Sequence, residues 1–289
     1  MIVKIAKCFH LMGYQPDFCQ YVGERIGVGG LSSVHELQLP GRQKLAVKIS
    51  SANFGEQGKA FLRREANVLA QLDHPNIVRV HAYGSCPNVE RPTEDAADFM
   101  VMDLLKGYSL DDYLRMTKKP FTPLEAFMVA RQVAQALQAV HLAGYAYNDV
   151  KPANLVLTAG ANYARKVMLI DFSLVERLGY LKPDDGLFRG TFGFAAPEKA
   201  TGYDDRTDLR SDIFSLGMTI YNLIFNGNPL DPKTYLLDCR GLNDTIRRAR
   251  LPSPAETALL RMTAFHIENR YKNCAEAIDA IDQAIASAG

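Results

Sequence analysis

The stretch that most constrains this chain is Tyr147-Asn148-Asp149-Val150-Lys151-Pro152-Ala153-Asn154. It sets a carboxylate, an ammonium and a carboxamide side by side. Pro152 lacks a backbone N–H and has a fixed φ, which disfavours both helix and sheet, so the stretch reads as a loop. An apolar pattern of helical length, residues 124–143, precedes it, and two short strand-like runs, 155–157 and 167–170, follow. The second run ends on another carboxylate, Asp171. Any fold for this chain must hold that loop between a helix and two short strands.

The chemistry of the loop is specific. Asp149 can take a proton from a hydroxyl, and Lys151 can neutralise charge on a moving phosphoryl group. Asn154 and Asp171 offer oxygen ligands to a hard cation such as Mg²⁺. Phosphoryl transfer is the functional reading. A surface turn of mixed charge is the bland one, and eight residues alone do not separate the two.

Composition narrows the class. The chain has 289 residues, room for two lobes, and at 47% hydrophobic and 22% charged it reads as globular. A net charge of +1 gives no reason to expect nucleic acid or an anionic membrane as partner. The five cysteines, Cys8, Cys19, Cys86, Cys239 and Cys274, include no CxxC pair, which suits reduced thiols in a cytoplasmic protein and disfavours zinc. Residues 1–12 are interrupted by Lys4, Lys7 and His10, so neither a signal peptide nor a membrane span is expected there or elsewhere.

In chain order, residues 21–26 lead into a glycine-rich turn, Gly27-Val28-Gly29-Gly30, and residues 34–39 form a strand. Glycines allow close approach of a phosphate to backbone N–H groups. An ordinary hairpin would also fit. No helix opens after the glycines, against a dinucleotide fold or a Walker loop. Lys48 sits in an apolar strand, 45–49, where a lysine either faces solvent at an edge or needs a charged partner. The period of residues 57–72 predicts a helix, stopped at His74-Pro75-Asn76. Its Glu65 either pairs with Arg63 or Arg64 on the surface or partners Lys48 in a partly exposed ion pair. Strands are expected at 77–83 and 99–104, with a polar surface loop at 87–98. Beyond Gly107 helical patterns dominate: 110–116, 124–143, 212–225, and two or three helices in 255–288. His35, His81, His141 and His266 read as hydrogen-bonded core histidines rather than ligands.

The ordered set Gly27-x-Gly29-x-x-Ser32-x-Val34, Ala46-Val47-Lys48, Glu65, Asp149-x-Lys151-x-x-Asn154, Asp171-Phe172-Ser173, Ala196-Pro197-Glu198 and Asp212 resembles the eukaryotic-type (Hanks-type) Ser/Thr protein kinases over residues 18–280. The resemblance implies an α+β, bilobal protein kinase fold. Residues 1–17 would be an N-terminal extension, 18–104 a small, mostly β lobe and 105–289 a larger, mostly α lobe. It implies ATP and Mg²⁺ as cofactors and a protein Ser/Thr hydroxyl as acceptor. Gly27, Val28 and Gly29 would close over the phosphates, and Lys48, positioned by Glu65, would hold the α- and β-phosphates. Val34, Ala46 and Val156 would sandwich adenine, with Met102 as gatekeeper and Asp103 and Leu105 in the hinge. Asp149 would accept the hydroxyl proton, Lys151 would steady the γ-phosphate, and Asn154 and Asp171 would hold Mg²⁺. Thr191 would touch the Asp149–Lys151 pair, Glu198 would pair with Arg270, and Asp212 would brace the loop backbone. Leu69, Val80, Tyr147 and Phe172 would form the regulatory spine.

Four positions depart from the family. Ser32 replaces the third loop glycine, Ser173 replaces the glycine after Asp171-Phe172, and Tyr147-Asn148 replaces His-Arg before Asp149. That arginine normally reads a phosphate on the segment between Asp171 and Glu198. Its loss predicts a kinase that needs no phosphate there, unless Arg177 or Arg189 substitutes. The segment is then expected to be ordered by packing of Leu174, Leu178, Leu187 and Phe188. A pseudokinase scaffold would be expected to lose Lys48, Asp149 or Asp171. A kinase-fold enzyme acting on a small molecule would be expected to lack Ala196-Pro197-Glu198 and Thr191.

Overall fold

The computed structural model describes residues 22–29, 32–39, 44–51, 54–86, 97–159, 165–179, 190–201, 208–226 and 239–288. Gly30, Tyr180, Leu187, Phe188, Arg189, the expected 1–17 extension and residues 87–96 of the expected surface loop lie outside them. The described residues fall into two compact units. One runs to Asp73 and includes Val78–Leu105; the other holds His74–Ile77 and the chain from Lys106 onward.

The first unit is a five-stranded antiparallel sheet with one helix. Its strands are β1 (Val22–Val28), β2 (Ser32–Leu37), β3 (Leu45–Ser50), β4 (Val80–Cys86) and β5 (Ala97–Asp103), in the order β1-β2-β3-β5-β4. Side chains alternate between the two faces of a strand, so the register assigns each face. Val34 pairs with Lys48 and Ala46 with Met102, which puts these four on one face. Leu37, Val47, Ile49, Phe99 and Val101 occupy the other and form an apolar cluster. Helix α1 (Gly55–Leu69) packs on β3, β4 and β5. β3 is a central strand, so Lys48 is not an edge lysine, and it is buried. The polar stretch expected as a surface loop over 87–98 ends inside β5. Asp98 there is buried, bonded through its carboxylate to the Tyr83 and Ser85 hydroxyls, while its N–H donates to Ser50 Oγ.

The second unit is mainly helical: α2 (Leu110–Thr117), α3 (Pro123–Leu142), α4 (Pro197–Thr201), α5 (Arg210–Phe225), α6 (Arg240–Arg248), α7 (Ser253–Met262) and α8 (Cys274–Ala288). Thr122 and Glu125 start α3 with a reciprocal capping box, and Pro123 takes the first helical turn, where its missing N–H costs nothing. Helix α5 is buried almost all round, as its continuous apolar run requires. Gly217 on α5 permits its close packing on α7. A Cβ there would lie 2.7 Å from Thr263 Cγ2 and 2.8 Å from Met262 Cβ. Short strands β6 (Gly107–Ser109), β8 (Leu155–Ala159) and β9 (Arg165–Leu169) form one ribbon, and β7 (Tyr145–Ala146) pairs with β10 (Glu176–Arg177). The Asp149 loop is thus held between the end of α3 and β7 on one side and β8 on the other.

Candidate active site

In the first unit, Lys48 Nζ lies 2.8 Å from each carboxylate oxygen of Glu65. The pair was expected to be partly exposed. It is buried instead, with side-chain exposures of 7% and 2%. The reason is that β3 is central and α1 covers the face carrying Lys48. Val34, Ala46 and Met102 share that face, and Asp103 at the end of β5 is held by His81 at 2.7 Å; His81 is exposed rather than in the core, because β4 is an edge strand. Leu105 is half-buried just beyond β5.

Gly27 and Gly29 lie at the β1–β2 turn, where Gly29 N–H donates to Ser32 O at 2.8 Å. Neither has a positive φ. A Cβ would approach no closer than 3.6 Å to its neighbours at either position. The described fold therefore does not itself demand glycine here. Among the described residues nothing crowds either position, which is compatible with close approach of a phosphate to this turn.

In the second unit the loop residues form a closed polar network. Asp149 Oδ2 accepts from Lys151 Nζ at 2.7 Å and from Asn154 Nδ2 at 2.8 Å, while Oδ1 accepts from the Thr191 hydroxyl at 2.7 Å. Lys151 also donates to Thr191 Oγ1 at 2.8 Å. Asn154 Nδ2 bonds the Asp149 carbonyl as well, at 2.9 Å. With the amide nitrogen turned inward, the amide oxygen is the atom Asn154 can offer to a cation. Asp171 follows β9, and its carboxylate accepts the Ser173 N–H at 3.3 Å. Asn154 and Asp171 supply two oxygen donors, which fits Mg²⁺, an ion that completes its shell with waters and substrate phosphates. Val156 lies on β8, opposite Met168.

The backbone around this loop is fixed from below. Buried Asp212 on α5 accepts the Tyr147 and Asn148 N–H groups, both at 2.7 Å. It also meets His141 Nε2 at 2.9 Å, and His141 Nδ1 lies 3.4 Å from Cys274 Sγ. Burial alone would lower the His141 pKa, but the bonds to Asp212 and Cys274 outweigh it and push the value up to about 10. Glu198 and Arg270 form a two-pronged pair, both contacts 2.8 Å, with Arg270 buried over the Phe214 ring. The Tyr147 and Phe172 rings meet edge to face, centroids 5.0 Å apart. Leu69 and Val80 belong to the first unit.

Two residues of the site are among the non-glycine residues that adopt left-handed backbone: Asn148 at φ 70° and Asp171 at φ 58°. Asn and Asp tolerate this region better than other side chains. Asn148 also makes contacts that sequence reasoning missed. Its Oδ1 accepts from Lys199 Nζ, and its Nδ2 donates to Leu174 O at 2.9 Å and Glu176 Oε2 at 3.3 Å. The cation found beside Asn148 is thus Lys199; Arg177 is exposed.

A family model described as "Protein kinase domain" matches residues 21–284. The serine/threonine-protein kinase PknB of Mycobacterium tuberculosis H37Rv is 31% identical over 269 residues, covering 88% of this chain and 41% of that protein. PknJ of the same organism is 33% identical over 221 residues, covering 73% of this chain and 35% of PknJ. This chain therefore spans about two fifths or less of the length of these relatives. Among solved structures, a double mutant of the Mycobacterium tuberculosis PknI kinase domain is similar at TM-score 0.68 and 26% identity, covering 93% of this chain and 95% of that one.

Proposed function

The chain belongs to the protein kinase domain family, and from that premise we propose that it is a Ser/Thr protein kinase, moving the γ-phosphoryl group of ATP to a protein hydroxyl. The observation that carries this reading is the closed Asp149–Lys151–Thr191 network. It fixes a carboxylate beside an ammonium, and the hydroxyl of Thr191 ties both to the segment that precedes Ala196-Pro197-Glu198.

Each residue has a distinct task. Asp149 accepts the proton of the acceptor hydroxyl at its carboxylate, which Thr191 and Asn154 hold in one orientation. Lys151 neutralises charge next to that carboxylate. Lys48 binds the α- and β-phosphates, and Glu65 orients it. Gly27, Val28 and Gly29 cover the phosphates; Val34, Ala46, Met102, Asp103 and Leu105 take the base. Asn154 and Asp171 would hold Mg²⁺, which when bound would supply positive charge beside the transferred group. Catalysis of this kind rests on positioning and electrostatics rather than covalent chemistry.

The reading includes activity without a phosphate on the segment between Asp171 and Glu198. Its hydroxyl residues are Ser173, Tyr180 and Thr191. Thr191 is engaged with Asp149 and Lys151, and Ser173 abuts Asp171. Asn148 lacks the charge a phosphate prefers in its partner. Five scattered cysteines with no CxxC pair suit a cytoplasmic setting for this domain. The near-neutral charge gives no support to a nucleic-acid partner. Among the described residues no helix is long and apolar enough to cross a membrane.

Incubation with Mg²⁺, γ-labelled ATP and a Ser/Thr-bearing test protein, followed by phosphoamino-acid analysis, tests the proposal. Label on serine or threonine is expected. Label confined to a small molecule, or no transfer, would contradict it.

A further inference from the structure

Lys199, Asn148 and Glu176 come from three separate segments: α4, the Asp149 loop and β10. Asn148 and Glu176 are buried, Lys199 as a residue is half-buried, and the Lys199 and Glu176 side chains are each 6% exposed. Asn148 bridges them, accepting from Lys199 with its oxygen and donating to Glu176 and Leu174 with its nitrogen. Lys199 Nζ also lies 3.9 Å from Glu176 Oε2.

Buried charges persist where they are paired and their hydrogen bonds satisfied. Only a side chain that both donates and accepts can sit between an ammonium and a carboxylate, and a carboxamide does both. Arginine has no acceptor. At position 148 it would lose the Lys199 bond and set a second cation beside Lys199. A phosphate arriving here would meet the Glu176 carboxylate. Within the trio the Lys199 ammonium is thus balanced by the Glu176 carboxylate.

Its placement gives it leverage. Glu176 lies in β10, zipped to β7, which leads into the loop. Lys199 adjoins Glu198, which Arg270 anchors. The trio thus ties both ends of the segment between Asp171 and Glu198 to the residue before Asp149.

We propose that Lys199 and Glu176, acting through Asn148, are positioning residues that hold the Asp149 loop in working geometry, an internal ion pair standing where a phosphate contact would otherwise be needed. This rests on the kinase reading above.

The test restores the family residue. In Mg²⁺–ATP assays with a Ser/Thr test protein, Asn148→Arg is expected to lower kcat about tenfold or more, with KM for ATP within about threefold of wild type. Adding Lys199→Met removes the like-charge conflict and should recover at least about threefold of that loss, although Lys199→Met alone also lowers kcat. Asn148→Arg as active as wild type, or a double variant no better than Asn148→Arg, overturns the proposal. Amide hydrogen exchange at residues 147–151 separates the two readings. If wild type transfers no phosphate, the kinase reading fails. The clamp then stands if Lys199→Met speeds exchange there at least about tenfold, and falls if exchange is unchanged.

Discussion

Lys48 and Glu65 are joined by two contacts of 2.8 Å in the interior of the first unit. A buried pair contributes little net stability, yet removing one member strands the other charge, at about 3–5 kcal/mol. Lys48→Met is therefore expected to abolish phosphoryl transfer and also to lower Tm, by about 2–4 °C per kcal/mol in a protein of this size. Adding Glu65→Leu should return much of the lost Tm and none of the activity. Thermal melts of the three proteins check this; a Lys48→Met protein that melts like wild type would contradict it.

His141, between Asp212 and Cys274, predicts an alkaline limb of stability. Its folded pKa is raised from 6.5 to about 10. The contribution is thus fully present below pH ~6.5 and is lost as pH rises toward ~10. Tm of wild type should fall across that window, and His141→Gln should flatten the fall while lowering Tm at neutral pH. Equal slopes in the two proteins would remove the charged His141–Asp212 pair from the account.

The segment between Asp171 and Glu198 is expected to work unphosphorylated. Phosphatase-treated enzyme, Tyr180→Phe and untreated enzyme should agree within about twofold in one kinase assay, because Asn148 offers a phosphate no charge-assisted contact. A tenfold drop on treatment or substitution would show that a phosphate still governs the segment.

Much of this arrangement is legible in the sequence. Strand and helix periods locate β3, α1, α3 and α5 to within a few residues. The order of Lys48, Glu65, Asp149, Asn154 and Asp171 carries the family resemblance. Periodicity says which face a residue occupies, not what covers that face. The burial of the Lys48–Glu65 pair was missed because it depends on β3 being central, which follows from non-consecutive strand pairing. Asp98 read as loop because its neighbours in sequence are polar; its burial comes from Ser50, Tyr83 and Ser85. The Lys199–Asn148–Glu176 trio joins residues 28 and 51 positions from Asn148, with no spacing pattern to mark them. The signal that was available is the unusual neutral residue before Asp149.

The most direct test of the account is the rate of phosphoryl transfer by Asp149→Asn. The substitution keeps shape and most hydrogen bonding but removes the proton acceptor, so the protein should fold and bind ATP while kcat falls by ~10²-fold or more. An Asp149→Asn protein that transfers phosphate at the wild-type rate would contradict the assignment of this loop as the catalytic site.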